Sequence, residues 1–485
     1  MRPPPALRAV PGQGAPRVIA VACALLALLG PAVAAAQGDG ATVELGLGGN
    51  LVADAWNPVR VTVRDAAPSV LRVRIDEGSL LEGPRIVRYS ANLPGGSGVT
   101  VFDDDLFVPT FRTLSYTLVS GRTVLASGSL GAGDADARPL DVILSGAPGR
   151  WRGAFGSDAR IVDVAASDLP ARAAAFDGVR TLLVDGSAAA PRAESVAAAA
   201  SGGVQVVLAG PLPASQAQLG RLAGRGSARL GVGEVVRVAA NPRAVRAAMA
   251  GWQPIDRQGM VQALAAERLV QPPRAPGQPL MLSLAAAYVL VTLLGLRFGG
   301  TPGLVAGLVL AAVIAAAGWR LLRPPSAELS ASSTVLIGGG ELALALQVDE
   351  RLTLPSGEVT LPRAGRPLSP LPYAVEDGST RVELPRWHAV AVAAHPELRT
   401  SALRFEGGRL VNTGREPLHG VYVLGLGRQP DLPAGASVTP GPGEEGGMAP
   451  PLARLAALLP AGTALASAPA AVWVALPPLS QEGSP

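Results

Sequence analysis

Two uncharged apolar runs, parted by a short polar break, divide this chain into flanks that must fold around whatever the runs become. The first covers residues 280–296 (LMLSLAAAYVLVTLLGL) and the second residues 303–319. Between them stand Arg297-Phe298-Gly299-Gly300-Thr301-Pro302. At ~1.5 Å rise per residue, each run covers most of a ~30 Å hydrocarbon core. Helices buried in a soluble core usually keep a polar face, whereas both runs are apolar all round. The expectation is a transmembrane helical hairpin at 280–319, with membrane lipid as its partner. A hydrophobic share of 48% in 485 residues fits such a segment.

Residues 1–36 read as a secretory signal peptide. Arg2, Arg8 and Arg17 supply its positive part, residues 18–29 its apolar part, and Ala34-Ala35-Ala36 before Gln37 a small-residue cleavage site. The apolar part is too short to span comfortably, which favours cleavage. Cys23, the sole cysteine, lies inside it, and the apolar residues continue to Leu29, so a lipoprotein cysteine is not indicated. The mature chain then has no thiol, which removes disulfides, cysteine nucleophiles and cysteine–zinc sites together. The implied address is the cytoplasmic (inner) membrane, multi-pass, with the large domains extracytoplasmic. Arg268, Arg274, Arg320 and Arg323 flank the runs on the supposed outer side, against the positive-inside rule; long domains, however, translocate largely regardless of charge.

Behind the net charge of +4 every positive side chain is an arginine, since the chain has no lysine. The arginines are scattered, without a basic stripe and interleaved aromatics, so nucleic acid is not an expected partner.

Residues 37–138 alternate apolar and polar positions between glycine-rich turns. Strands are expected at 42–47, 59–63, 71–75, 86–91, 99–102, 114–119 and 124–127, the pattern of an immunoglobulin-like β-sandwich. Trp56, Tyr89, Phe102 and Tyr116 are expected in its core. Asp103-Asp104-Asp105 lacks the alternating ligand pattern and glycine hinge of a calcium loop and reads as a solvated turn.

In residues 139–255 short apolar runs alternate with helical stretches, which indicates a parallel α/β sheet. Strands are expected at 142–144, 161–164, 181–184, 204–208 and 235–238, and helices at 191–200 and 242–250. Sites in such sheets lie at the carboxyl ends of strands. Those positions hold Ser145-Gly146-Ala147, Asp185-Gly186-Ser187 and Ala209-Gly210-Pro211. None forms a nucleophile elbow, a phosphate loop or a dinucleotide fingerprint, and Gly231-Val232-Gly233 precedes its strand rather than following it. With neither cysteine nor histidine in the segment, Asp185 and Ser187 read as a loop turn.

A linker is expected at 256–279 and a mostly-β domain at 324–478, with strands at 342–347, 359–361, 380–384, 389–392 and 421–424. A helix at 451–459, a strand at 472–476 and a disordered tail at 479–485 complete the chain. His388, His395 and His419 all fall in this last domain. The spacing of the first two fits neither a helix pair nor one strand face, so no zinc site is expected.

Three stretches carry a family resemblance. They are Gly48-Gly49 with Trp56-Asn57-Pro58-Val59; Leu230-Gly231-Val232-Gly233-Glu234-Val235-Val236; and Gly408-Arg409-Leu410-Val411-Asn412-Thr413-Gly414 with Leu432-Pro433-Ala434-Gly435. With the order of segments, they resemble an uncharacterised family of bacterial membrane proteins. Its members join an Ig-like domain, a class I glutamine amidotransferase-like α/β domain, two spans and a C-terminal β domain. The resemblance implies no catalysis here, because no position supplies the nucleophilic cysteine or histidine base of true amidotransferases. Expected catalytic residues, metal ligands and cofactors are therefore none. The leading functional expectation is a non-enzymatic envelope protein that binds a partner protein or a glycan. The alternatives are a subunit of a membrane complex or transporter, or a hydrolase with a Ser or Asp nucleophile and a base such as His388 or His419 brought from the C-terminal domain.

Overall fold

The computed structural model describes residues 36–37, 40–65, 67–78, 85–224, 226–266, 278–298, six positions within 305–313, 328–353, 357–385, 388–444 and 446–479. The expected signal segment up to residue 35, with Cys23, lies outside the described residues. So do most of the second apolar run, the four arginines flanking the runs, and residues 480–485.

Two-residue alternation builds the first sheets. Ser69–Asp76 buries Leu71, Val73 and Ile75 and turns Arg72 and Arg74 outward, while Ile86–Leu93 buries Val87, Tyr89, Ala91 and Leu93. These strands lie side by side in an eight-stranded sheet. Its order is Ala36–Gln37, Thr123–Gly131, Thr113–Ser120, Ser69–Asp76, Ile86–Leu93, Tyr373–Glu376, Ser379–Leu384 and Gly357–Leu361. Tyr373–Glu376 runs parallel to Ile86–Leu93, with Tyr373 opposite Val87 and Glu376 opposite Ser90. Strands from both ends of the chain therefore share one sheet. Facing it is a three-stranded antiparallel sheet of Ala41–Leu45, Ala55–Arg64 and Val99–Val108. Val59, Val61, Leu71, Ile75, Leu114 and Leu118 pack between the two with Val359, Val375 and Val382 in a single core. Each large side chain removed from water here contributes about 1.5–3 kcal/mol.

The α/β segment forms a six-stranded sheet ordered Arg160–Asp163, Leu140–Leu144, Val179–Asp185, Gln205–Ala209, Gly233–Val238 and Ser227–Leu230. The first five are parallel and Ser227–Leu230 is an antiparallel edge. All residues of Leu140–Leu144 and of Gln205–Ala209 are buried, as strands covered on both faces must be. Helix Pro242–Ala250 starts with proline in its first turn and the Asn241 side chain accepting from Ala244 N at 2.8 Å. Within the expected linker, Arg257–Ala265 is helical and buries Met260, Val261 and Leu264. They pack against Val335, Leu344 and Leu455 of a nine-stranded sheet and its neighbouring helix. That sheet is built around Leu342–Thr353 and Glu328–Gly339.

The expected transmembrane hairpin at 280–319 is not seen. Among the described residues no helix is long and apolar enough to cross a membrane. The first run does form a helix, Gln278–Phe298, but this opens on Gln278-Pro279 and carries Arg297 at its end. The uncharged stretch between is roughly 17 residues, or about 25 Å, against a ~30 Å hydrocarbon core. The molecule is mostly β with several sheets, and the multi-pass, inner-membrane reading built on the hairpin is overturned with it.

Candidate functional site

The α/β sheet brings the sequence-selected serines together. Its order places Leu140–Leu144 between Arg160–Asp163 and Val179–Asp185, so the chain reverses its direction of winding around that strand. Ligand crevices of open α/β sheets form at this kind of switch point, beyond the carboxyl ends of the strands. Ser145 follows one of these ends and Asp185 closes the other. Asp185 Oδ2 accepts from Ser145 Oγ at 2.7 Å, Ser187 Oγ at 2.8 Å and the buried Trp151 Nε1 at 2.8 Å; Oδ1 accepts from Ser187 N at 3.2 Å. Burial pushes the Asp185 carboxyl up, but the donors outweigh it and hold its pKa below the usual carboxylate value. A carboxylate so saturated is a poor base. The serines are committed as well: Ser145 Oγ accepts from Ala147 N at 3.0 Å and Ser187 Oγ from Gly146 N at 3.3 Å. No imidazole stands among their hydrogen-bond partners in the described residues. The node is an ordered pair of turns.

A second cluster was not legible in the sequence. Asp103, Asp104 and Asp105 are not a solvated turn; they lie in the middle of the strand Val99–Val108, opposite Arg60, Val59 and Pro58. Successive residues of a strand face opposite ways, so the three separate. Asp104 points inward and accepts from Tyr89 Oη, and burial pushes the Tyr89 phenol far above its usual pKa. Asp103 and Asp105 share the outer face of the three-stranded sheet with Trp56, Phe107 and Arg60, and the rest of the molecule closes over that face.

Asp103 accepts from Arg60 Nε at 2.9 Å, and Arg60 also meets Asp168 of the α/β segment at 2.9 Å. The Asp105 side chain is wholly buried. It accepts from Arg172 Nη2 at 3.2 Å, and its other oxygen lies 3.0 Å from Arg172 Nε and 2.9 Å from His395 Nε2. The His395 ring stands edge-on to Trp56 at 4.8 Å, and Trp56 packs on Phe107 at 5.7 Å. Arg366 lies over the Phe107 ring at 4.4 Å, where burial lowers its pKa. Asn57 sets the geometry of this corner: its side chain accepts from Val52 N at 2.8 Å and donates to Val52 O and Ala55 O at 2.8 and 2.9 Å. Beside it, Trp56 N donates to Asp177 Oδ2 at 3.1 Å.

A cleft of about 300 Å³ opens beside the Asp105–His395 pair, walled by Tyr89, Asp104, Arg172, Arg363 and Glu397. Its walls come from the N-terminal β segment, the α/β segment and the C-terminal β segment, and pockets favour such junctions. Arg363 donates to Gln347 Oε1 at 2.6 Å along its edge. His419 sits elsewhere, with Nδ1 2.9 Å from Asp431 Oδ2 on an exposed loop edge, and His388 is exposed. Among the described residues no group of three or more His, Cys, Asp or Glu is arranged to hold a metal ion. Asp105 and His395 stand 290 positions apart in the chain, so no local spacing links them. No protein-family model matches the chain, and no curated protein matches it either.

Proposed function

We propose that this chain is a non-enzymatic binding protein whose junction cleft receives a polar group of a partner protein or a glycan. One observation carries the reading: the acid–base groups of the cleft are closed upon one another. Asp105 is held by both Arg172 and His395. The residues lining the cleft include no serine, threonine or cysteine for that pair to activate. Nucleophilic catalysis needs a base within hydrogen-bond reach of its nucleophile, and among the described residues the hydrogen-bond partner of this ring is an arginine-bound carboxylate. What remains at the opening is recognition chemistry, namely the guanidinium of Arg363 and the carboxylate of Glu397. On this reading the amidotransferase-like α/β segment supplies a wall of the cleft through Arg172.

The test titrates full-length protein with neutral and acidic oligosaccharides while following tryptophan emission, with Trp56→Phe as the blank. Trp56 is the reporter because it touches His395. Glutaminase, esterase and glycosidase turnover are measured in parallel. The expected result is a saturable emission change lost in Arg363→Ala, with only background turnover in all samples. Emission flat across the panel would overturn the reading, as would turnover abolished by Ser145→Ala, Ser187→Ala or Asp105→Asn.

A further inference from the structure

The opposite face of the eight-stranded sheet carries an arrangement that the junction does not use. Arg72 and Arg74, two apart on Ser69–Asp76, both point outward; Arg74 stands directly opposite Arg88 on Ile86–Leu93. The three guanidinium stems therefore rise from neighbouring lattice points of the sheet, about 5 Å apart across strands and about 7 Å along one. Like charges directly opposite destabilise a sheet unless something neutralises them. Internal neutralisation is sparse. Asp76 meets Arg74 at 3.3 Å, and Glu376, at the far edge, is held by Arg381 at 3.2 Å. Among the described residues Arg72 and Arg88 form no ion pair, and both are exposed.

Hydroxyls surround the charges. Arg72 lies between Ser90 and Thr117 on the flanking strands, and Arg74 has Ser115 on its other side. A shallow groove of about 670 Å³ runs over these residues.

The geometry points to this groove as a binding site for an acidic glycan, a chain of uronate sugars whose carboxylates meet the arginines and whose hydroxyls meet Ser90, Ser115 and Thr117. The partner's charge follows from complementarity, since planar guanidiniums present paired donors to carboxylates. A peptide bound by strand addition needs a sheet edge, whereas these strands lie in the middle of the sheet, and the hydroxyls flanking each arginine match a polyhydroxylated chain. A single-stranded nucleic acid needs aromatic platforms, and the two tyrosines beneath the groove turn inward: Tyr89 to Asp104, and Tyr116 onto Gly128. The site is independent of the junction cleft, which lies on the other side of Tyr89.

Calorimetric titration of full-length protein with oligogalacturonate tests it, with the neutral methyl ester as control. The expected result is saturable binding that weakens with salt, is absent for the ester, and falls about tenfold or more in Arg72→Gln/Arg88→Gln. Arg363→Ala in the cleft should leave it unchanged, which separates failure here from failure of the cleft reading. The double variant should melt at or above the wild-type temperature, because it relieves like-charge contact; should it melt early, Arg88→Gln alone replaces it, with a smaller loss. No binding of oligogalacturonate, equal binding of the ester, undiminished affinity in the variants, or tighter binding of oligoglutamate or single-stranded DNA would each overturn the assignment.

Discussion

Replacing Asp105 with asparagine tests whether the junction is a true buried ion-pair contact. The wild-type carboxylate has a wholly buried side chain and accepts from Arg172 and His395, which belong to two other segments. Asparagine keeps the size and one acceptor oxygen but turns an amide toward one of the donors. Roughly two hydrogen bonds to a charged group are lost, at about 1.5–3 kcal/mol each before discounting. The Arg172 side chain is 37% exposed, so water recovers part of that loss. A net cost of about 2–3 kcal/mol is expected. Asp103, two residues along the same strand face, is the internal control: its side chain is 48% exposed opposite Arg60. Asp103→Asn should therefore cost about 0–1 kcal/mol. The assay is urea unfolding followed by tryptophan emission, with Arg172→Met completing a double-mutant cycle. Equal, sub-kilocalorie losses for both aspartates, with no coupling between Asp105 and Arg172, would refute the reasoning.

The pH dependence should carry the mark of Asp185. Its folded pKa is lowered, so its contribution is fully present above the unfolded value of about 3.9 and is lost as pH falls through the folded pKa. Asp185→Asn should destabilise the protein at neutral pH, and the gap from wild type should narrow in acid titrations below about pH 4; a gap independent of pH would contradict the assignment. Two glycines with nearly the same left-handed backbone separate strain from space. A Cβ at Gly231 (φ +57°) would come within 2.5 Å of Ser201 Cα, whereas Gly224 (φ +55°) has nothing within 4 Å. Gly224→Ala should cost about 1–2 kcal/mol and Gly231→Ala clearly more by calorimetry; equal costs would show that the turn simply shifts aside.

The elements of this fold were more legible than their partners. Period-two alternation marks Ser69–Asp76 and Ile86–Leu93 as strands with one buried face, and continuous apolar runs mark Leu140–Leu144 and Gln205–Ala209 as strands buried on both. Alternation says which face is buried and nothing about which strand lies alongside. The pairing of Ile86–Leu93 with Tyr373–Glu376 satisfies the same pattern that a local hairpin would, so the sheet uniting the two ends of the chain leaves no trace in either strand alone. The hairpin expectation failed for a different reason. Composition alone marks an apolar run as a membrane span, whereas its helix is bounded by Gln278-Pro279 and Arg297.

The site divides the same way. Ser145 and Asp185 could be found because strand–helix alternation places them at the carboxyl ends of adjacent parallel strands, and their hydrogen bond follows from that adjacency. Asp105 could not, because its neighbours in sequence suggest a polar turn and its partners, Arg172 and His395, lie 67 and 290 positions away in the chain. The same holds for the stretches that carried the family resemblance. Trp56-Asn57 fixes the corner on which His395 rests, Gly231 admits a close approach to Ser201, and the buried Asn412 side chain donates to Leu432 O at 2.9 Å and accepts from Gly414 N at 2.9 Å. Each is a residue whose replacement would disturb backbone geometry or packing. A motif of that kind reports a shape, and the chemistry of the cleft and of the arginine face lies outside all three stretches.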